Sequence, residues 1–433
     1  MAFVAPISNK SELSSIPEVG NVYFMLLVLS AINLFNFMDR VLFSVLLEPI
    51  KLDLAMSDGQ MGLLGGVAFG VFYGFVGLLA GRLADTRSRT GVLTVSLGVW
   101  STASALSGQA ASFGQMFAAR AAVGVGVSAC SPCAHSLIGD YFPPQRRALA
   151  LSVFTGIGTA GTMIGLVFGG LLLDAYGWRT AFAVFGMAGL LFAPVAWLLL
   201  REPPRGSFEK PSALPTLGWS QSVRILLARR TVRMLLAGMP MVMAAGGIAT
   251  WIPAYLQRAQ GASATDVATM GGLSLGLGIV TGTLAGGFIV NSLRKRDTRW
   301  EFWWPAMSSA ASVPLLAAFY FTDASGLAYT LLFLAFFMAG SAFGPALSCM
   351  LAVSEPSIRG TMVALAVLSS SLIAYGVAPG FVGLCSDFLI ARGYGEANGE
   401  SLRVALMAVL IMPALASVLF WRASLTARAD AVS

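Results

Sequence analysis

The sequence predicts an all-α membrane protein: twelve transmembrane helices arranged as two pseudo-symmetric six-helix bundles. Three observations carry that prediction. Of the 433 residues, 57% are hydrophobic and 11% charged, whereas a water-soluble domain carries about 25% charged residues; there is too little polar surface here to face water. Twelve apolar stretches are long enough to span a bilayer, which takes roughly 20 residues of helix. The second half of the chain also echoes motifs of the first.

The elements follow in order. Residues 1–21 form a polar tail without the apolar core of a cleavable signal, so the first span is read as the insertion signal. The first bundle occupies 22–200, with spans at 22–50, 58–81, 90–110, 113–136, 147–173 and 178–200. Polar or turn-forming breaks such as "DLAMSDG", "DTRSRT" and "DYFPPQRR" separate them. A longer gap at 201–231 contains four prolines and reads as a linker between the bundles, with a short amphipathic helix over 217–230 on the membrane surface. The second bundle occupies 232–422, with spans at 232–257, 266–292, 302–321, 326–352, 360–386 and 402–422; residues 423–433 form a tail.

Lys and Arg set the orientation. With the amino terminus in the cytoplasm, the segments on that side hold 20 Lys and Arg and those on the other side 5. Both termini are therefore expected to be cytoplasmic, in what reads as a bacterial inner membrane. This distribution also accounts for the net charge of +7 without a nucleic-acid partner.

The halves repeat one another. Gly81 and Asp85 after span 2 match Gly287 and Asn291 after span 8, and span 5 ends "GLLLD" (170–174) where span 11 ends "GLCSD" (383–387). Glycines recur at four-residue spacing in spans 2, 5 and 8, which puts them on one helix face for close packing, or for sliding in a rocking protein.

Two charges inside the membrane point to function. An ionisable group in hydrocarbon costs several kcal/mol unless paired or hydrated. Asp39 lies about 25 Å along span 1 from its inner end, at 1.5 Å per residue. Arg120 enters span 4 from the opposite side to a similar depth. Asn36 shares the face of Asp39, and Ser131 continues the stripe that begins at Arg120 and runs through Val127. These groups are expected to wall a hydrated cavity between spans 1, 4, 7 and 10. In it Asp39 would load and release a proton while Arg40 and Arg120 bind an anionic head group. An ion pair that only fixes helix packing is the structural alternative. Trp251, Tyr255 and Phe343 are weaker pocket candidates. His135, the sole histidine, is a candidate relay more readily explained as structural, and Glu48 and Glu355 read as interfacial.

Other motifs fall away. "GIGTAG" (156–161) matches a dinucleotide fingerprint but sits in mid-span, with no strand before it and no acid about 20 residues on. Cys130 and Cys133 in "CSPCAH" have no second pair to complete a metal site, and the four cysteines form no disulfide framework. No nucleophile–base constellation suggests an enzyme, and neither metal nor cofactor is expected.

"GRLADTRSR" (81–89) resembles the signature loop of the major facilitator superfamily, G-x-L-x-D-x-x-x-R. The resemblance implies the major facilitator fold and a conformational latch built from Gly81, Asp85, Arg89 and Arg146. In it Asp85 meets Arg146 or the start of span 11 near Arg359 when the transporter faces outward. "NFMDRVLFSVLLEPIKLDLAMSDGQMGLLGG" (36–66), "RAAVGVGVSACSPCAHSLIGDYFPPQRRALALS" (120–152), "GWRTAF" (177–182) and "REPPRG" (201–206) are similar to the spinster-like branch. That likeness implies a secondary transporter, by alternating access, of a lipid-like or amphiphilic anion such as a lysolipid or sphingoid phosphate. It also implies proton coupling, roles for Asp39, Arg40 and Arg120, and a monomer. Other carriers of the superfamily, for organic anions, sugar acids or drugs, are the alternative, and a non-transporting lipid sensor is a further one. One departure stands out: the branch reads G-V-G-E after the span 4 arginine, and Val127 replaces that acid here.

Overall fold

The computed structural model describes residues 19–208, 218–323, 325–355 and 358–432; most of the amino-terminal tail and the middle of the linker lie outside them. Among the described residues, nine helices are long and apolar enough to cross a membrane. One of them, Pro144–Leu199, holds spans 5 and 6 in 56 residues, bent at Gly177, whose φ of +79° interrupts the helical backbone. A positive φ is strained for any residue with a Cβ. The break predicted at 174–177 is thus a kink at one glycine, where two helices follow one another directly. Helices Arg89–Ser107 and Trp300–Tyr320, of 19 and 21 residues, supply spans 3 and 9.

Several spans are broken internally, which the hydropathy pattern did not show. Span 2 splits at Gly66 into Asp58–Gly65 and Val67–Thr86. Span 4 splits into Phe113–Val127 and Cys130–Tyr141. Span 7 divides into Arg230–Ala249 and Ile252–Gln260, where Pro253 sits in the first turn and has no N–H to extend the preceding helix. Spans 8 and 11 contain π-helical turns at Val267–Gly271 and Ser371–Val377. Span 1 is Val19–Asp53, span 10 is Ser325–Ala352, and span 12 combines Glu400–Val409 with Ile411–Val432. The expected surface helix is Trp219–Ala228.

The glycine faces have distinct partners. Gly158, Gly161 and Gly165 of span 5 press on Asn33, Leu34 and Met38 of span 1; Gly278, Gly282 and Gly286 of span 8 press on Phe333, Phe337 and Ser341 of span 10. Both contacts lie within one half. In span 2, Gly62, Gly66 and Gly70 meet the backbone of span 11 at Pro379, Gly376 and Tyr375, across the halves, while Gly77 and Gly81 face open space.

The apolar core has three parts. One is shared by both halves at the end away from the termini, where Phe43, Leu46, Trp178 and Phe182 join Trp251, Tyr255, Phe319 and Leu402. At the termini-bearing end there are two separate cores. One is built from the first half, around Leu29, Trp100, Val123 and Leu137, and the other from the second, around Leu235, Phe302, Met350 and Phe420. The halves are therefore packed together at one end and parted at the other.

Candidate functional site: charges at the junction of the halves

Asp39 sits where the shared core gives way to the two separate ones. It is buried, and the Ser104 hydroxyl of span 3 donates to its Oδ1; its Oδ2 has no partner. Arg120 is buried beside it, near enough to act on it through charge but not hydrogen-bonded to it. The Arg120 guanidinium lies 4.9 Å from the Phe43 ring centre and 5.6 Å from that of Phe69, and its Nε and Nη1 are unpartnered. The closest contact expected between the two charges is thus replaced by Ser104 on one side and by two rings on the other.

Arg40 points away from Asp39, as helix geometry requires, into an aromatic cage. Its guanidinium carbon is 5.1 Å from Phe69, 5.2 Å from Tyr73 and 4.2 Å from Tyr375, the last ring coming from the second half. Cation–π contact of this kind stabilises a cation by about 0.5–2 kcal/mol, most when it is desolvated. The Nη2 of Arg40 is buried without a hydrogen-bond partner. The π-helical turn over 371–377 carries Tyr375; such turns are frequent at functional sites. Ser131 meets the Tyr73 hydroxyl. Asn36 donates to Asn33 at 3.5 Å and keeps a buried, unpartnered Oδ1.

Other expected site residues lie elsewhere. Trp251 is fully buried, with its Nε1 on the Pro379 carbonyl at 3.0 Å, and the Tyr255 hydroxyl donates to the Tyr320 carbonyl at 2.7 Å. Both belong to the core shared by the halves at the packed end. Phe343 packs on the second half's own core. His135 is exposed beside Phe154, on a recess of about 340 Å³ at the termini-bearing end. Val127 is buried in the first half's core, which leaves Asp39 as the carboxylate beside Arg120.

The expected latch is not assembled. No ion pair among the described residues joins Asp85 to Arg146 or Arg359. The Arg205 guanidinium instead binds the carbonyls of Ala84, Asp85 and Arg87, Arg146 reaches the Tyr23 hydroxyl at 3.3 Å, and Arg359 donates to the Ser354 carbonyl. Arg89 is buried within the first half, paired with Asp140 and with Glu202 at 2.7 Å. Gly81 has open space around it. For Arg359, in the second half, the physical reason is the parting of the halves at this end; Arg146 lies in the same half as Asp85 and is turned to Tyr23 instead. The opposite end carries the cross-half ion pairs. Arg258 binds Glu48 at 2.6 Å and Asp58 at 2.8 Å, and Lys51 binds Glu396 across the halves as well as Asp58 within its own half, at 2.6 Å. Glu48, read as interfacial, is one of these partners.

The comparison with known proteins decides the family. The sequence profile of the Major Facilitator Superfamily matches residues 29–379. The chain belongs to the Major Facilitator Superfamily. It is a spinster-like member. A Mycolicibacterium smegmatis protein named MFS-type efflux pump is 30% identical over 412 residues, covering 94% of this chain and 93% of its own. The Danio rerio sphingosine-1-phosphate transporter SPNS2 is 27% identical, with 84% and 75% covered. The crystal structure of a bacterial homologue of the human lysosomal transporter Spinster, described as inward-facing and unoccupied, superposes with a TM-score of 0.86 at 26% identity, over 96% of this chain and 99% of that one. This superfamily member is a transporter and not an enzyme.

The sequence did not single out Ser104, Phe43, Phe69, Tyr73 or Tyr375. Only the hydroxyl-rich run "STASALS" (101–107) signalled polar groups inside span 3.

Proposed function

We propose that this transporter carries an anionic amphiphile of the lysolipid or sphingoid-phosphate class by alternating access. Arg40 and Arg120 hold the anionic group and Asp39 carries a proton. One observation supports this most: three guanidinium nitrogens and one carboxylate oxygen lie buried and unpartnered at the junction of the halves. Leaving a buried charged donor unsatisfied costs about 1–3 kcal/mol or more, and a bound anion removes that cost. The rings of Phe43, Phe69, Tyr73 and Tyr375 around the two guanidinium groups suit an acyl chain beside a charged head.

In this reading 22–200 and 232–422 rock as bodies about the junction, 201–231 links them, and the protein works as a monomer in a bacterial inner membrane with both termini cytoplasmic. Asp85 reaches Arg146 or the start of span 11 only when the termini-bearing end closes. The second reading is an organic-anion, sugar-acid or drug carrier, and the M. smegmatis relative bears the name MFS-type efflux pump, which specifies no lipid; a lipid sensor would bind the same anion without moving it.

Thermal shifts of the purified protein separate these. Lysophosphatidic acid is expected to stabilise the wild type more than a neutral monoacylglycerol or a small carboxylate does, and Arg120→Ala to abolish the difference. Equal stabilisation by the neutral lipid contradicts the anion site, and binding without uptake into sealed vesicles contradicts transport.

A further inference from the structure

The repeated G-x-x-x-D that closes spans 5 and 11 has no role in the site above. In the structure both copies face the other half at the packed end. Asp387, in the second half, grips the first turn of span 2: its Oδ2 accepts from the Ser57 hydroxyl at 2.6 Å and from the Gly59 N–H at 2.9 Å, and its Oδ1 accepts from the Asp58 N–H at 2.9 Å. Asp174, in the first half, accepts from the Thr265 hydroxyl at the start of span 8. Both receiving helices begin at a capping serine: Ser57 accepts from the Gln60 N–H, and Ser263 from the Asp266 N–H.

The glycine of each motif permits the approach. A Cβ on Gly383 would lie 2.1 Å from the Asp58 carbonyl oxygen, and one on Gly170 would lie 2.1 Å from the Ala268 Cβ. The glycine brings two helices from different halves into backbone contact, and the acid one turn later bonds the helix start.

We infer that Gly383–Asp387 and Gly170–Asp174 form a paired latch that holds the transporter shut at the end away from its termini, with Asp387 the stronger arm. A carboxylate on the N–H groups of a helix start gains from both charge-assisted bonds and the helix dipole. Opening this end breaks those bonds. Asp387 is half-buried with three such bonds, and the helix start it holds is also tied down through the fully buried Asp58, which accepts from the Ser386 hydroxyl at 2.7 Å. Asp174 is exposed and has one.

The inference rests on the alternating-access reading, and its test tells the two apart. Spin labels placed at the exposed Leu52 and Tyr394, one on each half at the packed end, report the distance between them in the full chain in nanodiscs. Asp387→Asn is expected to raise the long-distance population about fivefold over wild type, and Asp174→Asn or Thr265→Val to raise it less. Ser57→Gly keeps an adequate helix cap but removes one bond to Asp387, so it is expected to shift the population in the same direction. It also decides the matter if the Asp387 variant does not fold. If the wild type samples both distances and these variants leave their ratio unchanged, the latch is overturned. If neither the wild type nor any variant ever leaves the short distance, with or without lysophosphatidic acid, alternating access and the latch fail together.

Discussion

Asp39, Arg40 and Arg120 were legible because a charge inside an apolar run stands out whatever surrounds it. Their partners were not. Ser104 reaches Asp39 from span 3, and Tyr375 reaches Arg40 from the other half. Which helix faces meet is a property of the packed bundle, and an ordinary serine or tyrosine in a span gives no local sign of it. The Arg40 cage makes a graded prediction. If Tyr375 acts through its ring, Tyr375→Phe keeps KM for lysophosphatidic acid uptake near wild type. Tyr375→Leu raises it about 2- to 30-fold, the span of a cation–π contact of 0.5–2 kcal/mol. Equal effects of both substitutions would show that the hydroxyl, and not the ring, matters.

At the scale of elements, the hydropathy pattern showed the helices and missed their interruptions. Gly66 and the π turns leave an apolar run apolar, so these breaks are invisible to it, whereas the turn at Gly177 was marked by the polar end of span 5. The glycine faces were legible as surfaces, but not which of them stay inside a half. Gly282 lies so close to span 10 that a Cβ would sit 2.1 Å from the Phe337 carbonyl oxygen. Gly282→Val is therefore expected to destabilise the second half by about 1–3 kcal/mol, read as a lower melting temperature in detergent.

The linker shows a similar split. Its prolines and charges marked it as a connection, but Glu202 turns back to bind Arg89 at 2.7 Å and the Thr90 N–H at 2.9 Å. Burial pushes the Glu202 carboxyl up, but the Thr90 N–H and the Arg89 guanidinium outweigh it and hold the carboxyl below its usual 4.5. A depressed folded-state value means this contact contributes stability above pH 4.5 and loses it as the pH falls through the lower folded value. Melting temperature between pH 6 and pH 3.5 is expected to fall less in Glu202→Gln than in the wild type. Parallel curves would remove the linker from the acid response.

For the whole molecule, twelve spans and two halves followed from composition, charge bias and the repeat. The conformation did not, because the sequence holds the contacts of more than one state. The loop that resembles the superfamily signature belongs to the end that is parted here. The closed end is held by Arg258, Asp58 and Lys51, which the sequence did not single out, and by Asp387, which it marked only as part of a repeat. The shared core at one end and the two separate cores at the other are the physical form of that difference. The three charges lie where they meet, and in the proposed function a proton or anion gained there is coupled to both halves through the contact of Arg40 with Tyr375.

The most direct measurement of that coupling is transport of a fluorescent lysophosphatidic acid in sealed proteoliposomes, with and without an imposed pH gradient, by the wild type and by Asp39→Asn. The account predicts that the gradient accelerates the wild type, and that Asp39→Asn retains exchange of labelled for unlabelled lipid but no longer responds to the gradient. Full gradient dependence in Asp39→Asn would contradict it.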